Sequence, residues 1–185
     1  MTPEDIERCF DGFTVSTFRL ETLQQYTVDS EAPRIQAWHR GEPRPDRSVR
    51  TSPWLRRVAV TTAAGRHWSR VHVVDLPLSD YVRYQMVGYV EAAAAGEEIR
   101  IAVRSDHPEL TDMHEDFWLF DEDTPNASAI AMRYDPVGRP LDRELVTNPS
   151  RIAAYKTVRA AAWEAAMPLN EFLANRARQE RTCNA

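Results

Sequence analysis

The stretch Asp116-Phe117-Trp118-Leu119-Phe120-Asp121 constrains the fold of this chain more than any other. In an extended strand the two-residue period places Phe117, Leu119 and Asp121 on one face and Asp116, Trp118 and Phe120 on the other. Large apolar groups on both faces need cover on both sides, so a central strand is predicted, with its two aspartates at the ends. Those aspartates face opposite sides and cannot act together as ligands. Asp121 and Asp123 could converge on a hard cation, but Thr124-Pro125-Asn126 makes Asp123 a turn residue, and no metal is expected. His107 and His114 lack a zinc spacing.

A chain of 185 residues can surround such a strand with one core, and a single domain over residues 1–168 followed by an amphipathic helix and tail over 169–185 is expected. Alternation or β-rich composition predicts strands at Ser16–Glu21, His67–Asp75, Arg100–Val103, Phe117–Asp121, Ala129–Tyr134 and Leu141–Val146. Helices are expected at 2–10, 31–40, 53–64, from Ser79 or Asp80 to about Ala95, and after Asn148-Pro149, where asparagine caps and proline opens the first turn. Pro168 interrupts this last helix. The last four strands follow one another with turn-forming links, so they read as an antiparallel meander. The fold class is therefore α+β: a mostly antiparallel sheet of about six strands with packed helices and a C-terminal helical segment.

Charge is unevenly spread. From Arg34 to Arg70 nine arginines stand against Glu42 and Asp46, whereas Asp106 to Asp123 holds eight acids and no lysine or arginine. Arginine with interleaved Trp38, Trp54 and Trp68 suits nucleic acid, but the overall formal charge of −5 and the bias toward arginine over the single lysine, Lys156, argue against direct binding. Contact with an acidic protein surface fits better. The acidic N-terminus lacks the form of a signal peptide and no apolar run is long enough to span a membrane, so a cytoplasmic location is expected. Cys9 and Cys183 lie far apart without metal or redox spacing and read as inert thiols.

Candidate chemistry lies on two strands. Arg19 and Glu21 share one face of the first, and Arg70 and His72 one face of the second. Guanidinium groups can grip an anion, and Glu21 or His72 could move protons. If the strands meet, these groups form either a pocket or a structural ion pair, and the ion pair is the preferred reading. Ser79 and Arg83 sit at a strand-to-helix turn whose free amides suit an anion, although helix capping is the preferred reading of Ser79. No glycine-rich phosphate loop or GxSxG motif occurs, and no cofactor is expected.

Several segments occur together in order: Phe18-Arg19-Leu20-Glu21, Arg70-Val71-His72-Val73-Val74 leading to Pro77-Leu78-Ser79-Asp80-Tyr81-Val82-Arg83, Gly96-Glu97-Glu98-Ile99, Asp116 to Asp121, and Arg159-Ala160-Ala161-Ala162-Trp163-Glu164-Ala165-Ala166 before Pro168. In this combination the chain resembles an uncharacterised actinobacterial domain family, often encoded beside helix-turn-helix regulators, from about Phe10 to Pro168. The resemblance implies an association with regulation. Two functions are carried forward: a non-enzymatic regulatory or accessory protein that binds a protein partner, such as a DNA-binding regulator, and a small enzyme or ligand-binding protein. In the second, an anionic small molecule would sit among Arg19, Arg70, Arg83 and Ser79, with Glu21 as general base.

Overall fold

The computed structural model describes residues 1–43 and 45–183. Arg44 of the basic stretch, Asn184 and Ala185 of the tail, and the side chain of Cys183 lie outside the described residues. Seven strands form one sheet: β1 (Ser16–Glu21), β2 (His67–Val74), β3 (Glu97–Val103), β4 (Asp116–Phe120), β5 (Ser128–Tyr134), β6 (Pro140–Val146) and the two-residue β7 (Met167–Pro168). Their order is β6-β5-β4-β1-β2-β3-β7, and every residue of β4 is buried, as a strand apolar on both faces requires.

The α+β class holds, but the sheet is mixed. β1 pairs parallel with β2, and β2 parallel with β3; the other pairings are antiparallel. Parallel neighbours need a crossover, and helices supply it. The chain from β1 to β2 passes through α2 (Ala32–His39) and α3 (Pro53–Ala63), and that from β2 to β3 through α4 (Asp80–Ala94). The expected four-strand meander is therefore only three strands long, β4-β5-β6. β3 lies across the sheet beside β2, and Arg104 pins the connection that follows it. The Arg104 guanidinium donates to the carbonyls of Leu110, Met113 and Thr22 and pairs with Asp75 at 3.1 Å.

Helices cover both faces. Phe18, Leu20, Val71, Val73, Phe117 and Leu119 point to α5 (Pro149–Ala165), which contributes Ile152, Tyr155 and Ala162. The opposite face carries Trp68, Trp118, Phe120 and Ile130 and packs on α1 (Pro3–Gly12), α3 and α4. The α6 helix (Leu169–Cys183) joins this second layer by burying Leu169 and Phe172. At 3–6% exposure these two residues belong to the main core, so the C-terminal helix completes a layer. Cys9 is half-buried there, and burial pushes its thiol up. Among the described residues no helix is long and apolar enough to cross a membrane.

Local signals account for the helix starts. Thr2 and Asp5 form a capping box, Ser52 and Ser79 accept from the first-turn amides of α3 and α4, and Asn148 does so for α5.

Candidate functional site

β1 and β2 lie side by side in a register that sets Arg19 opposite Arg70 and Glu21 opposite His72. Strand alternation turns all four side chains toward the α1–α3–α4 layer, where apolar groups fill the rest of the face. The next strand on either side adds a carboxylate: Glu97 opens β3, and Asp116 opens β4. Arg19, Glu21, His72, Glu97 and Asp116 are each no more than 6% exposed. Buried ionised groups persist only with matching partners, and these groups are matched to one another.

Arg19 bonds Asp116 at 2.7 Å and Tyr134 at 3.2 Å and lies 3.6 Å from Glu21. Arg70 lies 2.8 Å from both Glu21 and Glu97. Asp116 is the most heavily used acceptor of this network. Its second oxygen takes the amide and hydroxyl of Thr22, each at 2.8 Å, while Tyr26 donates to the first at 2.6 Å. The two guanidinium groups lie over the Trp118 ring, each 5.6 Å from its centroid. Beneath Glu21, Tyr89 of α4 reaches its carboxylate at 2.5 Å and His72 Nδ1 at 2.8 Å, and His72 Nε2 meets the Leu23 carbonyl at 2.8 Å.

These contacts shift the protonation equilibria. Burial pushes the Glu21 carboxyl up, but Arg70 and then Arg19 outweigh it and hold it at about 2. Burial lowers the His72 imidazole, opposed by the charge on Glu21. Burial beside Glu21 raises the Tyr89 phenol well above its usual range, and burial beside Asp116 does the same to Tyr26.

Above this network opens a cleft of about 1320 Å³. Arg19, Glu21, Arg70, Tyr89 and Glu97 form its floor, and α1, α4 and the segments 27–34 and 46–54 supply its walls. Three lining groups among the described residues are incompletely satisfied: Glu97 Oε2, Gln85 Oε1 and Arg34 Nε are buried without a hydrogen-bond partner. Higher on the wall Arg34 and Arg47 both pair with Glu91, at 2.5 and 3.1 Å.

Four of the candidates named from sequence thus come together: Arg19, Glu21, Arg70 and His72. They form ion pairs and also line or underlie a cleft, so the two alternatives coexist. Arg83 does not join them. It is largely exposed, pairs with Asp80 at 3.2 Å, and caps nothing in the cleft. Ser79 is spent on the turn, donating to the Gln24 carbonyl and accepting from the Val82 amide. Asp121 and Asp123 do not converge. The Asp121 carboxylate accepts the amides of Thr14, Val15 and Ser16, which lower it against the effect of burial, and Asp123 pairs with Lys156 at 2.8 Å. Among the described residues no cluster of three or more potential ligands could hold a metal.

Sequence reasoning missed Tyr89, Glu97 and the interior role of Asp116. Tyr81, Gln85, Tyr89 and Ala92 recur at helical spacing and mark the inner face of α4, a signal present in the sequence. Glu97 precedes the strand expected to begin at Arg100, yet the strand begins at Glu97, which shares the alternation of Ile99 and Ile101.

The fold and this floor define an α+β domain with a charged, tyrosine-bordered cleft over the junction of parallel and antiparallel strands. The chain belongs to the family described as a domain of unknown function, DUF6879, whose pattern matches residues 4–174. That span includes the first turns of α6. No curated protein matches the chain.

Proposed function

We propose that this protein is a small-molecule-binding protein or enzyme whose ligand occupies the cleft above Arg19, Glu21, Arg70 and Glu97. The observation that carries this reading is the floor itself. Burying five charged side chains costs more than filling the same volume with apolar ones, and apolar replacements of buried ion pairs are often neutral or stabilising by about 1–4 kcal/mol. A polar floor beneath an open cleft, with acceptors on Glu97 and Gln85 still unmatched, is suited to reading a polar ligand.

The floor sets two guanidinium groups against three carboxylates, so it is not a dedicated anion site. An anionic group on the ligand would find its cations at the rim, where Arg139 and Arg143 pair with no carboxylate among the described residues. The test is a thermal-shift screen of polar metabolite-sized compounds against the wild type and Tyr84→Ala, a wall residue outside the network. A ligand at a hundred times its Kd should stabilise the wild type by about 2.7 kcal/mol. Stabilisation equal in the variant and in Arg139→Ala would place the ligand elsewhere.

A second reading, binding of a protein partner such as a DNA-binding regulator, draws on the free edge of the sheet. Among the described residues β6 pairs with no strand other than β5, and it exposes Leu141 and Leu145 at 68% and 47%. Co-purification with a regulator, abolished by Leu141→Lys, would support it; unaltered co-purification would remove this edge from consideration.

A further inference from the structure

The contacts around Tyr89 can be counted in protons. A carbonyl oxygen only accepts, so His72 Nε2, 2.8 Å from the Leu23 carbonyl, carries a hydrogen. Two contacts remain, from the Tyr89 hydroxyl oxygen to Glu21 Oε2 at 2.5 Å and to His72 Nδ1 at 2.8 Å. Each needs a hydrogen between its heavy atoms, because two lone pairs at these separations repel. Tyr89 has one. In their ordinary forms at neutral pH a glutamate, a tyrosine and a neutral imidazole supply two hydrogens for three contacts.

We infer that the Glu21–Tyr89–His72 chain holds one proton beyond that complement and serves as a proton donor to a ligand bound in the cleft. In the arrangement consistent with Glu21 staying ionised between two arginines, His72 Nδ1 donates to the Tyr89 oxygen and Tyr89 donates to Glu21. Glu21 and Tyr89 line the cleft, while His72 lies fully buried behind them. The proton leaves along the chain: Tyr89 passes its hydrogen to the ligand acceptor, directly or by way of the Glu21 carboxylate, and the His72 Nδ1 hydrogen moves onto the Tyr89 oxygen behind it. The triad then returns to the ordinary complement. The ligand class this fits is one with a basic oxygen or nitrogen to be protonated, such as a carbonyl or imine.

The surrounding charges are mixed. Burial, joined by Arg70 on its own strand, opposes a cation at His72 and on balance lowers the imidazole, against Glu21 on β1, the Leu23 carbonyl and Asp116 on β4. Tyr26 packs its ring 6.3 Å from the imidazole, and Tyr89 of α4 lies 6.0 Å away, centroid to centroid. Only the hydrogen-bond geometry requires the third hydrogen.

The inference rests on the cleft reading for its purpose, but its test needs no ligand. Nitrogen-15 spectra of labelled histidine at neutral pH, with His72 assigned through contacts to the Tyr89 ring, report which imidazole nitrogens carry hydrogen. Carbon-13 spectra report the Glu21 carboxyl. Two protonated nitrogens, with Nδ1 losing its hydrogen in Tyr89→Phe, are the expected result. A bare Nδ1 with a protonated Glu21 would also give three hydrogens and place the extra one on the carboxyl. A bare Nδ1 beside an ionised Glu21 would overturn the inference. Failure of every compound in the thermal-shift screen would count against the ligand reading and leave the proton count standing.

Discussion

Replacing Asp116 by asparagine tests whether the floor is held by charge. The substitution keeps size and shape while removing the charge that neutralises Arg19. One carboxylate oxygen accepts from Arg19 at 2.7 Å and Tyr26 at 2.6 Å, and the other from the Thr22 amide and hydroxyl at 2.8 Å. Whichever way the amide turns, its NH₂ group faces one N–H donor that it cannot satisfy, the Arg19 guanidinium or the Thr22 amide, beside a hydroxyl that must turn round to accept. Arg19, 3% exposed, keeps as counter-charge the more distant Glu21, which already serves Arg70. Removing one partner of a buried pair costs about 3–5 kcal/mol, a large share of the roughly 5–15 kcal/mol that stabilises a typical domain. In urea, with a slope of about 2 kcal/mol per molar, the unfolding midpoint should fall by roughly 2 M. Asp142→Asn breaks the exposed pair with Arg133 and should leave the midpoint in place. Equal midpoints for the two variants would refute the account of Asp116 as the anchor of the floor.

Three further outcomes follow from the packing and the charges. Glu21 is held at about 2 against an ordinary 4.5, so its contribution is complete above pH 4.5 and is lost as pH falls through 2. That contribution is of the order of 3 kcal/mol, and Glu21→Gln should flatten the stability–pH curve across this window; an unchanged slope would contradict it. Gly138→Ala should lose about 1–3 kcal/mol in thermal unfolding, since φ is +78° and a Cβ would lie 2.2 Å from the Gln25 carbonyl oxygen; a neutral result would argue against that close approach. Phe172→Ala should cost about 3–5 kcal/mol because the ring is 3% exposed, and a loss below about 1 kcal/mol would mean that α6 is an appendage.

What was legible in the sequence was local. The bounds of β1 agree to the residue, and the caps of α4 and α5 stand where Ser79 and Asn148 place them. The faces of β1, β2 and β4 follow from alternation, which assigned Arg19, Glu21, Arg70 and His72 to their sides. Pairing was not legible, because nothing in β1 or β2 states that the two lie parallel and adjacent. The strongest partner of Arg19 lies 97 residues away, so Asp116 read as the end of a strand when it is an interior counter-ion. Asp121 misled for a similar reason: its hydrogen-bond capacity is filled by amides at Thr14 to Ser16, which only the folded chain brings near. β7 is too short for periodicity to register.

The separation between Arg19 and Asp116 also orders events during synthesis. β1, β2 and β3 can pair once the first hundred or so residues have emerged, and that half already contains both arginines with Glu21 and Glu97. β4 emerges later, carrying the carboxylate that matches Arg19 and the aspartate that gathers the amides before β1. Until it docks, one edge of β1 is unpaired and Arg19 lacks its closest counter-charge, so the half-made sheet is held open on that side. Non-local pairing of this kind slows folding and prolongs exposure of a sticky strand edge. A charge on Arg19 not yet met by Asp116, in the middle of that edge, would disfavour pairing with strands of other molecules.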